Sequence, residues 1–377
     1  MKIPFNKPHL TGKELKYIEA AIQSGKIAGG GIFTKKCQAF FQEKYGFRKV
    51  LLTTTATAAL EMAAILVNIQ PGDEVIAPSY THVSTVNPFV LRGAKIVFAD
   101  CLAEVPNIDI AQVESLLTPR TKAIVPMHYA GIACDMQPLM DLARQYNLYI
   151  IEDAAQSLDA YYGKNPLGSI GHLAAFSFHE TKNISCGEGG MLVVNEESLE
   201  RRAELIWEKG TNRVAFFRGE VEKYEWLDTG SSFAPAEIIA AFLYAQLEKL
   251  EDIQQKRQQI WRQYQDGLKP LEKNEKVKLP AVPHYARHNA HLFYLVCNSR
   301  EERDRLIAML KAQGVAAYFH FLSLHTSPFY RSRHDGRELP NCDHFAGCLL
   351  RLPLFYELKK KEIAQIIAII VENLNSE

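Results

Sequence analysis

Three things are missing from this 377-residue sequence, and each absence removes a class of function. There is no excess of charge: Lys plus Arg and Asp plus Glu both total 43, so no basic face is implied that would gather nucleic acid or an anionic membrane surface. There is no apolar run long enough to cross a bilayer, and the first fifteen residues carry no apolar signal region, so a cytoplasmic protein working away from membranes is expected. There is no C-x-x-C pair. The seven cysteines are scattered and odd in number, which argues against a disulfide framework and a zinc site, and no metal is expected. Most should be small buried apolar residues; Cys186, in a polar glycine-rich stretch, is also expected to pack rather than react. Internal repeats and low-complexity tracts are absent as well. A small-molecule ligand is the reading these absences leave.

What the sequence does hold is enough apolar matter, 47% of its residues, to bury a large core. At this length two associated domains are expected, residues 1–245 and 246–377. Up to residue 195, short β-rich runs alternate with amphipathic helical stretches, the pattern of an α/β domain with a largely parallel sheet. The runs fall at 50–53, 74–77, 95–99, 123–126, 148–152, 174–178 and 191–194. Leu60, Ala63, Ala64 and Val67 keep helical spacing after the first run, and Leu139, Leu142 and Ala143 do so before the fifth. From 236 to 268 a long helical stretch reads as the bridge between domains. Beyond it a smaller α+β domain is expected, with strands at 291–297 and 315–319 and helices at 301–313 and 360–373.

Four segments carry chemistry. The run ending Glu152-Asp153-Ala154-Ala155-Gln156 places an acid at the carboxyl end of a strand, where open α/β sheets bind ligands. Asp153 there could accept a hydrogen bond from a heterocyclic nitrogen and keep it protonated, or simply cap the next turn. In Phe176-Ser177-Phe178-His179-Glu180-Thr181-Lys182, a strand ends in a turn bearing one lysine and then enters a glycine cluster at 187–190. A desolvated amine there has a lowered pKa and forms an imine with an aldehyde. For an arbitrary lysine a solvated charge is the better reading; Ser177 and the glycines, suited to a phosphate, shift the balance. Thr55, Ala56 and Thr57 lie between a strand and a helix, where free amides and the helix dipole favour phosphate, although a plain threonine cap explains them equally. Finally, Tyr80 or His82 in Pro78-Ser79-Tyr80-Thr81-His82 offers a flat ring to stack on a cofactor, or a helix start.

Together and in this order, the four segments resemble the fold-type I pyridoxal 5′-phosphate (PLP) enzymes, and within them the DegT/StrS sugar-nucleotide aminotransferases. The likeness runs from Ile3-Pro4-Phe5 to Arg351-Leu352-Pro353-Leu354. It implies a seven-stranded, mostly parallel sheet flanked by helices with a smaller α+β domain. Carried over by position, Lys182 matches the Schiff-base lysine, Asp153 the partner of the pyridine nitrogen, Gln156 a contact near the ring hydroxyl, and Ser177, Thr55, Ala56 and Thr57 the phosphate ligands. His82 stands where the family places a ring-stacking aromatic, and Ser232 where many members have an asparagine that reaches the neighbouring subunit's phosphate. A homodimer with shared active sites is therefore implied. The stretch from Glu208 to Trp226 resembles the branch that aminates dTDP-4-keto-6-deoxyglucose to dTDP-4-amino-4,6-dideoxygalactose with L-glutamate. On that likeness Arg213, Arg218 and Lys223 would meet a diphosphate or the donor's carboxylates, and His320 would also contact substrate.

Three rivals follow from the same resemblance. A dehydratase of the same group replaces the lysine with histidine, and Lys182 argues against it. A non-catalytic regulatory relative would need a DNA-binding extension or a basic patch, and neither is present. Amination at C3 rather than C4 stays open at the level of sequence.

Overall fold

The computed structural model describes residues 2–375. Seven strands form the central sheet: β1 (Lys49–Thr53), β2 (Glu74–Pro78), β3 (Lys95–Ala99), β4 (Thr121–Ile124), β5 (Tyr149–Asp153), β6 (Leu173–Ser177) and β7 (Gly190–Val194). Their order is β1-β7-β6-β5-β4-β2-β3. All run parallel except β7, which is antiparallel to both neighbours.

Successive side chains leave a strand on opposite faces, and here both faces are apolar. Leu51, Ala175 and Leu192 pack towards the helix Ala56–Leu66, whereas Leu52, Phe176 and Val193 pack on the other side with Phe41 and Phe178. Each fully buried aromatic or branched chain of this kind adds roughly 2 kcal/mol of transfer free energy. The predicted runs coincide with the seven strands to within two residues at either end. The shift at the fifth run matters, because it makes Asp153 the last residue of β5.

Past the sheet, β8 (Val277–Lys278), β9 (Phe293–Cys297) and β10 (Leu349–Leu352) form a small antiparallel sheet in that order. Ile260, Leu268, Leu310, Ile366 and Ile370 pack with it from three helices, Leu250–Lys273, Arg300–Ala312 and Lys360–Asn375.

Two sequence expectations fail here. The stretch 236–268 is not one helix: it breaks at Glu248 and Lys249 into Glu237–Leu247 and Leu250–Lys273. The first half is buried nearly all round, packed against the helices Glu14–Gln23 and Ile32–Tyr45, and the second on one stripe only, so the chain must turn between the two environments. Nor is 315–319 a strand. It makes only two isolated bridges, Val315 with Ile3 and Tyr318 with Arg351, and the chain then leaves the sheet to carry His320 and Phe321 to the site described next. Among the described residues no helix is long and apolar enough to cross a membrane.

Candidate active site

The carboxyl edge of the sheet opens on a cavity of about 450 Å³. Residues 55–57 reach it from the end of β1, His82 and Ser84 from the end of β2, Asp153 from β5, and Ser177 and Lys182 from β6 and the turn after it. His291, His320, Phe321 and Arg351 line it from the C-terminal part of the chain. Segments far apart in sequence thus converge where parallel sheets gather ligands.

Lys182 is half-buried on the cavity wall, and desolvation there pulls its pKa down from 10.5 to about 8; the carboxylate of Asp153 opposes the shift and the guanidinium of Arg351 adds to it. At neutral pH a useful fraction of the amine is therefore unprotonated and nucleophilic. Asp153 is buried and held at both oxygens. Thr85 donates its hydroxyl to Oδ2 at 2.6 Å, and the amide of Ala155 donates to Oδ1 at 3.1 Å. The hydroxyl of Thr81 lies 2.7 Å from that of Thr85. Since Thr85 spends its proton on Asp153, Thr81 must be the donor in that second bond, and the relay fixes the carboxylate's orientation. The adjacent Glu152 anchors the strand end by accepting from Nε2 of His128 and from the amides of Gly168, Ile170 and Gly171.

The threonine turn caps its helix and remains open to a ligand. Thr55 accepts from the amide of Ala58 at 3.0 Å, while Ala56 and Thr57, at the first helical positions, have amides that no intrahelical carbonyl can reach. Thr57 donates its hydroxyl to Ser84 at 2.9 Å, tying this turn to the one after β2. The glycine cluster serves differently from the sequence expectation. Of residues 187–190 only Glu188 lines the cavity. A Cβ on Gly190 would lie 2.3 Å from the backbone carbon of Thr55, so the glycine lets β7 press against the phosphate turn. Cys186 is buried, with its thiol pushed up in pKa by burial, and it packs as expected.

His82 caps a short helix and also faces the cavity. Its Nδ1 accepts the amide of Ser84 at 3.2 Å, starting a short helix, and the ring lines the cavity; burial there holds its pKa below 6.5. Gln156 spends its Oε1 on the amide of Ala130 at 2.7 Å, leaving only its NH₂ for a ligand. His320 bonds through Nδ1 to the hydroxyl of Tyr129 at 2.7 Å and stacks on Phe321, and burial drives its pKa far below 6.5.

Five of the sequence-derived residues do not reach this cavity within the chain, the first being Tyr80, which is fully buried with its ring against Tyr129 and Phe345. Arg213 pairs with Glu208 at 3.1 Å, and Arg218 is gripped by Glu204 and Glu220. In this chain two acidic neighbours, Glu204 and Glu220, hold the guanidinium of Arg218. Lys223 and Ser232 are exposed, the latter bridged to Glu208. Conversely, sequence reading missed Thr81, Thr85, His291 and Arg351. The one signal for Arg351 was a single charge in an otherwise apolar strand, Leu349-Leu350-Arg351-Leu352.

A family model described as the DegT/DnrJ/EryC1/StrS aminotransferase family matches residues 8–371. The chain belongs to that family. Three solved structures share its fold with a TM-score of 0.90: DesV of S. venezuelae at 29% identity, covering 99% of this chain and 98% of that one; TlmJ of Streptoalloteichus hindustanus at 26%, covering 99% of each; and Spr1654 of Streptococcus pneumoniae in its PLP form at 25%, again covering 99% of each. The family's cofactor is PLP. The residues present fit it: a half-buried amine of lowered pKa, a buried carboxylate held at both oxygens, and a glycine-backed turn of free amides.

Proposed function

We propose that this family member transfers the amino group of L-glutamate to a nucleotide-linked keto-deoxysugar, dTDP-4-keto-6-deoxy-D-glucose, giving dTDP-4-amino-4,6-dideoxy-D-galactose. The observation that carries the transaminase reading is the meeting of Lys182, Asp153 and the 55–57 turn in one cavity. The sugar is supported by the likeness of the 208–226 stretch noted above and by Spr1654, provisionally described as a sugar aminotransferase.

When bound, the cofactor takes up the amino group at its aldehyde carbon and draws electrons away from the carbon being deprotonated. Lys182 would hold that aldehyde carbon at rest and, once displaced by the donor amine, carry the Cα proton. Asp153 would keep a proton on the ring nitrogen, with Thr85 and Ala155 holding its carboxylate in place. Ser177, Thr57 and the amides of Ala56 and Thr57 would bind the phosphate, the NH₂ of Gln156 the ring hydroxyl, and His82 one face of the ring. His320 would contact the sugar. A homodimer would let a second copy bring Ser232 and the 213–226 loop, both remote from this chain's own cavity, to the active site. Exposed Phe217 and Trp226 on that loop support such an interface. Arg213 and Lys223 would then meet the diphosphate, with Arg218 bracing the loop through Glu204 and Glu220.

Two measurements check this reading. NMR of the product from dTDP-4-keto-6-deoxyglucose and glutamate, run beside the 3-keto isomer, is expected to show an amine at C4 with galacto configuration; an amine only at C3 overturns the substrate. Capture of PLP by the cofactor-free protein needs the neutral amine, so its rate should rise with pH and reach half its maximum near pH 8. A midpoint near the ordinary lysine value would mean that Lys182 is not desolvated as described.

A further inference from the structure

Asn183, next in the chain after Lys182, fixes the tautomer of a histidine in the cavity. Its side chain is buried, and its NH₂ donates to Oε1 of Gln254 at 2.8 Å and to the backbone carbonyl of Asn289 at 2.9 Å. A carbonyl can only accept, so the NH₂ must face it, and Oδ1 is left for Nδ1 of His291, 2.9 Å away. Oδ1 also only accepts. Burial, with the charges of Lys182, Arg257 and Arg351, keeps this imidazole neutral by holding its pKa well below 6.5. Its single ring proton therefore sits on Nδ1, and Nε2 presents a lone pair. The backbone beneath the ring is held as firmly: Oδ1 of Asn289 accepts the amide of His291 at 3.0 Å, and Arg257 donates to the carbonyls of Ala290 and His291.

With Nδ1 turned to Asn183, the Nε2 edge of His291 is left for the cavity that the residue lines, where it makes no hydrogen bond among the described residues. Other groups of the lining offer donors. Lys182 and Arg351 are cations, Gln156 has only its NH₂ free, and neutral His82, whose Nδ1 accepts the amide of Ser84, carries its proton on Nε2. We infer that His291 is a specificity residue for the amino acceptor, its Nε2 accepting a hydrogen bond from the sugar hydroxyl next to the keto carbon, at C3 of a 4-keto sugar. This rests on the transaminase reading above. Apart from its reacting amine, glutamate carries only carboxylates, which a lone pair repels. A ketosugar brings hydroxyl donors, and its keto carbon must meet the cofactor where Lys182 is anchored. His291 lies near enough to that point for the charge of Lys182 to be felt at its ring. The hydroxyl beside the keto carbon is thus the donor that comes closest to Nε2. So weak a base accepts the hydrogen bond and leaves the proton on the sugar.

Deleting that hydroxyl tests the inference without disturbing the protein. In wild type loaded with pyridoxamine phosphate, the 3-deoxy analogue of dTDP-4-keto-6-deoxyglucose should need a roughly 10-fold higher half-saturating concentration than the parent, the scale of leaving one buried acceptor without its donor. In His291→Phe that ratio should fall to about 1, because the parent loses what the analogue has already lost. The half-saturating L-glutamate concentration of the PLP-loaded variant should stay at the wild-type value. Calorimetric affinities for dTDP-6-deoxyglucose, which has no keto group to react, and for its 3-deoxy analogue should show the same preference and the same loss. An analogue that saturates wild type as well as the parent does overturns the proposal. So does a variant weakened in both half-reactions that keeps the wild-type preference, since His291 would then only support Asn183. If the enzyme aminates no sugar but the calorimetric preference persists and depends on His291, the functional reading falls and the hydroxyl site stands.

Discussion

Replacing Lys182 with alanine is expected to leave a folded protein and to lower turnover by about 10⁴-fold or more, since one side chain is asked both to anchor the cofactor and to carry the proton. The same change has a second signature. Lys182 titrates near pH 8 in the folded chain and near 10.5 unfolded, so at neutral pH the fold holds an ammonium it has partly stripped of water. The unfolded chain binds more protons between those values, so this residue's contribution to stability increases as pH rises from about 8 towards 10.5. Cofactor-free Lys182→Ala should therefore be more stable than wild type at pH 7, by up to about 3 kcal/mol, with the advantage shrinking over that window. Denaturant melts at pH 7 and 10 check this. A variant less stable at both, or one that still turns over repeatedly, contradicts the role given to Lys182.

The second large effect is expected at Asp153. Both of its oxygens accept from donors, Thr85 and Ala155, and asparagine has only one acceptor. The backbone amide of Ala155 cannot reverse its bond, so the NH₂ of an asparagine would face Thr85, and no negative charge would remain to hold a proton on the ring nitrogen. Cofactor should still load onto Lys182. The step that removes the donor's Cα proton should slow by on the order of 100- to 1,000-fold, the scale of losing one aligned electrostatic group. Stopped-flow absorbance with Cα-deuterated glutamate reads this directly, because the isotope effect should grow as deprotonation becomes limiting. Near-normal rates would mean that another group protonates the ring.

The sheet and the central pair of residues were legible in sequence for one physical reason. Short apolar runs ending in polar turns mark buried parallel strands, and the carboxyl ends of such strands are where Asp153, Ser177 and Lys182 had to converge. What escaped was contact made by folding rather than by spacing. Thr81 and Thr85 carried no assigned role in the sequence, because only the fold brings their hydroxyls into a relay to Asp153. Gly190 read as a phosphate amide, yet its task is to admit the backbone of Thr55. The 315–319 run had strand composition, but it finds only isolated bridges, to Ile3 at one residue and to Arg351 of the small sheet at another. The ion pair of Arg218 with Glu204, distant in sequence, is likewise made only in the fold.

The central claim is that Lys182 alone anchors the cofactor. Borohydride reduction of the PLP-loaded protein, followed by peptide mapping, tests it most directly. The account expects a yellow protein whose reduction leaves a single pyridoxyl group, found on the peptide that contains Lys182 and missing from Lys182→Ala. A pyridoxyl group on any other lysine, or none on a protein saturated with PLP, would contradict it.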